Sequence, residues 1–383
     1  MTDGKLTLDV ETGPEPYEWK HGKKDAPLRV TVVDDIEAVV SLRPECRALR
    51  EGSADRPVAL DLPYFAAGWR VAAMASDARL RVVVIERNDT PVAIWPLYLD
   101  QRSGIIRHLG CGSREEYAGA LGIMDTETCG EALNRLRGEG DAIEVYNLRP
   151  GTPLCAAIES NGPFLKTSVY SPIITVGDDP DAWRKAKSKS FRQSIRNNRS
   201  RLSRLGEIDV APVPVEKADA FSRWMFATKR EWLDSKGIGK NWIRSSASEA
   251  FFADLLGQSG SNVIGFAVTL DGKYIAGAFL LLARDIEFFV VANDAAYSAF
   301  SPGHLLLDGL VDFAADRCSD IDLRITQDEY KMRWADRTEE RVSYVVALNW
   351  RGRTLIARRK MVARAKIVRR IAGKVKRLLS RKT

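Results

Sequence analysis

Apolar positions in this chain gather in short β-branched runs separated by turn pairs, with helical spacing between the clusters. Leu28–Val33 (LRVTVV) predicts a first strand, and residues 35–50 follow with the spacing of a helix. Residues 81–86 (RVVVIE), the turn pair Asn88-Asp89 and residues 91–99 (PVAIWPLYL) predict strand, turn and strand. The arrangement returns later. Val263–Leu270 (VIGFAVTL) is followed by the hairpin pair Asp271-Gly272, residues 274–282 (YIAGAFLLL) and a third strand over residues 286–292 (IEFFVVA). In both copies an aliphatic–Ala pair stands two residues after the turn: Val92-Ala93 and Ile275-Ala276. The offset is 183 residues, about half of a chain of 383, so two copies of one α/β unit account for its length. Pro172, Gly177 and Pro180 mark the join. The predicted division is a leader (1–27), an N-terminal unit (28–172), a C-terminal unit (173–350) and a tail (351–383), each unit being a mixed central sheet flanked by helices.

Charge adds a second layer. The net charge is +7, yet residues 353–383 hold 13 Lys/Arg and no acid, so the remainder carries 45 bases against 51 acids. Along residues 366–382, Ile367, Val368, Ile371, Val375, Leu378 and Leu379 fall within an arc of roughly 120° and most cations lie outside it. This predicts a basic amphipathic helix, suited either to docking on the mildly acidic body or to an anionic membrane surface. A second basic segment, residues 182–205, carries nine Lys/Arg and no acid. Its Ser190-x-x-Gln193 pattern predicts a helix from about Phe191. Phe191, Ile195, Leu202 and Leu205 form one stripe, and Arg192, Arg196, Arg199, Arg201 and Arg204 occupy the other faces. The segment reads either as a solvated face or as an electrostatic platform for a phosphate-bearing ligand.

Several chemistries are excluded. P-loop, Rossmann, G-x-S-x-G and H-E-x-x-H patterns are all missing, and three histidines give little scope for a Ser-His-Asp hydrolase. Cys46, Cys111, Cys129, Cys155 and Cys318 are scattered and odd in number, which suits reduced thiols in the cytoplasm; no metal site is expected. No apolar run reaches the length of a membrane span, and the leader lacks a signal-peptide pattern.

Two clusters remain. One is residues 288–294 (FFVVAND), Tyr297 and Ser301-Pro302-Gly303-His304. A strand ends, and Ser301 is placed to cap a helix with Pro302 at its first position. Backbone N–H groups at such a terminus attract a pyrophosphate, and Gly303 permits close approach; an ordinary capped helix is the alternative. The other is a strand over residues 321–325, followed by Tyr330, Lys331 and Trp334. Tyr with Lys beside a cleft can bind an anion or donate a proton, or be a surface Lys beside packed aromatics.

Taken in order, the basic helix, the Trp/Lys-rich segment FSRWMFATKREWLDSKG, the Asp-Gly hairpin, D-x-x-Y-x-x-x-S-P-G and Y-K-x-x-W resemble the CelD-like acetyltransferases of cellulose and exopolysaccharide biosynthesis. Those belong to the GNAT superfamily and are similar in layout to the Fem-type aminoacyltransferases. The resemblance covers about residues 183–335, with 28–172 similar in architecture. It implies a fold of tandem GNAT-like units and acyl transfer to an amine or hydroxyl, with acetyl-CoA or another acyl-CoA as cosubstrate. Ser301, Pro302, Gly303 and His304 match the family's pyrophosphate loop, although A-F-S-P-G-H replaces its usual R/Q-x-x-G-x-G/A. The implied base is Asp294 or His304 and the implied acid Tyr330. Tyr297, Lys331, Trp334, Arg192 and Arg196 are the implied substrate-binding positions. In the first unit, Gly104 to Gly112 offers no such loop and His108 reads as structural, so that half is expected to shape the acceptor cleft.

The expected acceptor is a small molecule or glycan precursor in surface-polysaccharide metabolism. The expected place is the cytoplasm, with peripheral attachment of residues 353–383 to the inner membrane face. Two alternatives stay open: a Fem-like transferase using aminoacyl-tRNA, the one role for nucleic acid, and a non-catalytic GNAT-fold assembly factor.

Overall fold

The computed structural model describes residues 26–52, 57–75, 77–325 and 328–379, with side chains as far as residue 365. The expected leader therefore lies outside the described residues but for its last two, as do the side chains of the amphipathic arc over 366–382.

The first unit runs β1 (Leu28–Val33), α1 (Ile36–Ser41), α2 (Arg43–Glu51), α3 (Leu62–Ala75), β2 (Ala78–Leu80), β3 (Val82–Arg87), β4 (Thr90–Trp95), β5 (Leu97–Asp100), β6 (Ile105–His108), β7 (Leu121–Gly122), α4 (Thr126–Leu136), β8 (Ala142–Leu148), α5 (Pro153–Ser160) and β9 (Phe164–Ile174). The second runs α6 (Pro180–Ala186), α7 (Lys189–Leu202), β10 (Ile208–Pro212), α8 (Ala218–Ser235), α9 (Ser246–Leu256), β11 (Val263–Leu270), β12 (Lys273–Leu282), β13 (Ile286–Asn293), α10 (Pro302–Ala315), β14 (Ile321–Asp322), α11 (Glu329–Trp334), β15 (Arg337–Ala347) and α12 (Trp350–Leu379).

The repeat legible in the sequence is geometric. Asn88 and Asp89 (φ 52° and 56°) and Asp271 and Gly272 (φ 48° and 74°) place both central turn residues in the left-handed region, as a two-residue hairpin requires. Each hairpin also has a register shift at the same distance from its turn, between Ile85 and Glu86 and between Val268 and Thr269. Each unit then supplies one parallel pair, β6 with β8 and β13 with β14.

The units exchange their last strands. β9 pairs with β14 and β15, and β15 pairs in turn with β8. One sheet thus runs β10-β11-β12-β13-β14-β9-β15-β8-β6-β5-β2 across both units, beside a smaller sheet β1-β3-β4-β7. β9 passes through residues 172 and 173, where the sequence suggests a division. On the second unit's half, α7 and α10 cover one face in one apolar core, and α8, α9 and part of α3 cover the other.

Several predicted elements differ in detail. The strand over 91–99 is broken at Pro96, which has no N–H for a ladder; β4 stays in the small sheet while β5 joins the large one. The helix over 35–50 is two helices, since Pro44 starts the second. α7 begins two residues early, because Ser188 rather than Ser190 accepts from Phe191 N at 3.2 Å. The strand over 321–325 stops at Asp322. Arg324 lies at φ 67° and turns its N–H to Asp322 Oδ1 at 2.7 Å instead of to a neighbouring strand.

α12 docks through its first turns. A Cβ on Gly352 would lie 2.0 Å from Asp141 O, Ile356 is buried, and Arg359 pairs with Glu144. No helix among the described residues is long and apolar enough to cross a membrane.

Asp322 is 1% exposed and takes Arg341 at 2.8 Å and the Tyr117 hydroxyl at 2.9 Å. Removing one partner of such a pair strands a buried charge. Arg341→Met is therefore expected to lower unfolding free energy in urea by about 3–5 kcal/mol; a loss below about 1 kcal/mol would show that the pair does not hold the strands together.

Candidate active site

The two parallel strands of the second unit pair at two positions only, Ile286 with Ile321 and Glu287 with Asp322. Beyond them β13 and β14 part, and residues 288–293 line a cleft of about 830 Å³. On its other edge β13 carries a bulge: Phe279 pairs with Val290 and Leu280 with Phe288, leaving Phe289 outside the β12 register. Bulges recur beside active sites because they re-aim backbone groups.

α10 meets the cleft end-on. Ser301, expected to cap it with its side chain, sits at φ 50°, ψ 57° and makes no side-chain cap bond. His304 N bonds Ser301 O at 3.0 Å, and Pro302 has no N–H. The missing side-chain cap leaves first-turn amide capacity for a ligand, at the positive end of the helix dipole. A Cβ on Gly303 would lie 2.8 Å from Asn293 Oδ1, so this position has no room for a side chain unless Asn293 moves.

Of the residues expected from the sequence, Ser301, Pro302, Gly303, His304, Tyr330 and Lys331 line this one cleft. Burial, then Asp328, raises the Tyr330 pKa and keeps the phenol protonated. Lys331 is 7% exposed. Burial lowers its pKa to about 8 against the opposing pull of Asp328 and Glu115. Burial, and then Arg333, lowers the His304 pKa; its Nδ1 accepts from Trp334 Nε1 at 2.8 Å.

The others stand elsewhere. Asp294 is a helix cap, its carboxylate accepting from Ala296 N at 2.9 Å, and is not among the lining residues. Tyr297 packs against the core. Trp334 is fully buried, stacked on Trp183 at 5.7 Å, and is not among the lining residues. Arg192 and Arg196 are on the exposed face of α7, bonded to Lys185 O and Gln193 Oε1. His108 is buried, and burial lowers its pKa to about 4.

The tertiary structure adds residues that the motifs did not single out. α8 and the 3-10 turn Trp242–Arg244 supply Lys229, Trp232, Leu233 and Trp242, and Glu115 arrives from the first unit. Burial also lowers the Lys229 pKa, opposed by Glu115 and Asp328, and its ammonium lies 4.3 Å over the Trp232 ring. The Trp/Lys-rich run was a signal for this wall; Glu115 left none. A smaller cavity of about 340 Å³ touches Tyr117, Glu287, Asp322 and Arg341 but no residue of β13 beyond Glu287. Among the described residues no group of three His, Cys, Asp or Glu could hold a metal.

Residues 189–332 match the family model described as the acetyltransferase (GNAT) domain. The whole fold is similar to that of FemX, at 14% identity and TM-score 0.55, covering 82% of this chain and 98% of that one. It is also similar to a conserved protein of unknown function from Bacteroides thetaiotaomicron, at 11% identity and TM-score 0.51, covering 83% and 100%. At such identities the likeness is one of fold. No curated protein matches the sequence.

Lys331 gives a stability signature. Its pKa is depressed in the folded chain, so from about pH 8 to about 10.4 the unfolded chain binds more protons and stability rises with pH. At neutral pH the buried ammonium costs the native state on the order of 3 kcal/mol. Lys331→Met is expected to be more stable than wild type in urea at pH 7, with the gain shrinking toward pH 10. Equal stabilities at both pH values would show that the ammonium is not desolvated.

Proposed function

We propose that the protein is an acyl-CoA-dependent acyltransferase, with acetyl-CoA the simplest donor, acting on an amine or hydroxyl of a cell-surface polysaccharide precursor. The observation that carries this reading is the fork itself: a β13 edge that pairs with no described residue beyond Glu287, a bulge at Phe289 and a helix N-terminus without a side-chain cap meet in one cleft.

In this reading the Gly303 end of α10 holds the donor pyrophosphate. The donor's extended arm bonds the free edge of β13, and backbone donors near Phe289 face the oxygen that becomes negative in the tetrahedral intermediate. The acceptor enters from the α8 side. Its nitrogen or oxygen bonds the acyl carbon and its proton passes to a base, for which neutral Lys331, available near pH 8, is the best-placed group. The C–S bond breaks, and in this reading Tyr330, which lines the cleft, protonates the thiolate. Trp232 and Trp242 offer faces for a sugar ring, with Asn241, Thr228 and Glu115 for its hydroxyls.

One observation favours aminoacyl-tRNA as donor instead. α7 shows a row of exposed cations, and its Arg201 bonds Ala299 O and lies 5.0 Å over Phe300, in the turn that leads into α10. Calorimetry separates the readings. Acetyl-CoA is expected to bind wild type, and Gly303→Val to bind it at least about tenfold more weakly while remaining folded, since the added methyls meet Asn293. Unchanged affinity would remove α10 from the site. Salt-sensitive displacement by bulk tRNA would favour the second donor, and no acetyl-CoA binding would favour the assembly factor.

Peripheral attachment is a separate element of the proposal. Met361 and Val362 of α12 are exposed among Arg358, Lys360 and Arg364, where the helix has left its anchors Ile356 and Arg359. Full-length protein is expected to sediment with anionic vesicles, and less so in high salt. A chain ending at residue 357, which keeps Ile356 but lacks Met361, Val362 and every cation from Arg358 onward, is expected to lose most of that binding; equal sedimentation of the two would end the proposal.

A further inference from the structure

The sequence places Trp334 against a substrate and His304 as a base, and their contact gives both a different role. The Trp334 indole N–H can only donate, and it donates to Nδ1 of His304 at 2.8 Å. Nδ1 must therefore present its lone pair, so a neutral imidazole carries its one proton on Nε2. Protonation at Nδ1 would set N–H against N–H and break the bond. The imidazole is held in place: it lies nearly coplanar with Trp334, edge to edge (5.9 Å, 17°), and Trp334 stacks on Trp183 (5.7 Å, 19°) and meets the Phe191 ring edge-on (4.9 Å, 72°). Nε2 bonds no described group, and His304 lines the cleft beside Ser301 and Gly303.

We propose that Trp334 is a positioning residue that locks His304 in the neutral Nε2–H tautomer, making His304 a permanent hydrogen-bond donor to the phosphate end of the acyl donor and not a base. What Nε2–H meets rests on the acyl-CoA reading; the tautomer does not. Arg333 on α11 opposes a second positive charge at His304. Lys187, which caps the end of α6, is engaged by Asp336 and Trp334 O, and Arg184 of α6 by Asp308 and Asp312 of α10. Within the cleft Lys331 and Lys229 add cations, and Glu115 and Asp328 add the carboxylates that face them.

The test is nitrogen NMR of the full-length, ligand-free protein with labelled histidine, His304 being identified by its loss in His304→Gln. The expected spectrum is the Nε2-protonated neutral form, persisting at pH 5.5, where a free imidazole is mostly charged. An Nδ1-protonated form, or an imidazolium at pH 6.5, overturns the proposal. The second measurement is affinity for dephospho-CoA, whose pyrophosphate does not titrate in this range. Wild type is expected to vary less than about twofold between pH 8 and 5.5, and Trp334→Phe to gain about tenfold toward low pH as His304 becomes protonatable; parallel pH profiles count against the lock. If Trp334→Phe does not fold, the wild-type spectrum decides the tautomer. His304→Gln, which keeps an N–H donor, is expected to bind dephospho-CoA at least about fivefold more tightly than His304→Ala, and equal losses reject the donor role. A correct tautomer in a protein that binds no CoA overturns the acyl-CoA reading and leaves the lock standing.

Discussion

Glu287 and Asp322 form the last parallel pair before β13 and β14 separate, and both are almost completely buried. Two carboxylates cannot share such a place unless cations neutralise them. Arg324 pairs with Glu287, and Arg341 pairs with Asp322 at 2.8 Å; the Tyr117 ring lies beneath both guanidinium groups, at 4.0 and 4.2 Å. The charges come from β13, from β14 and its end, and from β15, and the aromatic ring comes from one loop of the first unit. Nothing apolar of similar volume would supply the same directed bonds, so the network both joins the units and fixes where the strands part.

The first unit shows what happens without it. Its last parallel pair is Arg107 with Glu144, opposite charges joined directly at 3.0 Å. Glu144 also takes the Tyr146 hydroxyl and, from α12, Arg359. That fork is closed by its own ion pair and by the helix that follows the second unit. The two units share hairpins, bulges and a parallel pair, yet an ion pair spans the first fork, whereas among the described residues β13 has no ladder partner on its β14 side beyond Glu287. A duplicated fold therefore carries one proposed donor site, and the other copy contributes Glu115 to its wall.

The same network reaches into the cleft. Arg324 donates to Glu115 O and lies 4.5 Å over Phe289, the bulge residue. Its left-handed backbone ends β14 after two residues, which opens the fork. Burial beside this guanidinium also accounts for part of the low Lys331 pKa, since Arg324 opposes a further positive charge there. Strand ending, bulge support and lysine electrostatics thus meet at one arginine, which no short motif marks.

The sequence by itself determined the elements and the doubling. Period-two runs, the pairs Asn88-Asp89 and Asp271-Gly272 and the 183-residue offset are local, because turn chemistry acts over four residues and strands alternate residue by residue. It also singled out the Ser-Pro-Gly helix start and the Tyr330-Lys331 pair, each a short loop beyond a strand, and it expected Asp294, Tyr330 and Lys331 in one cleft; Tyr330 and Lys331 line it with the helix start, and Asp294 does not. What the tertiary structure decided was every role that depends on a partner far along the chain. Asp294 looked like a base until its carboxylate was spent on a local cap, and Trp334 like a contact residue until Trp183 and Phe191 buried it. Lys229, Trp232 and Glu115 joined the site only through the packing of α8 and the exchange of β9 and β15. Burial and long-range pairing set those outcomes, and neither is written in the spacing of neighbouring residues.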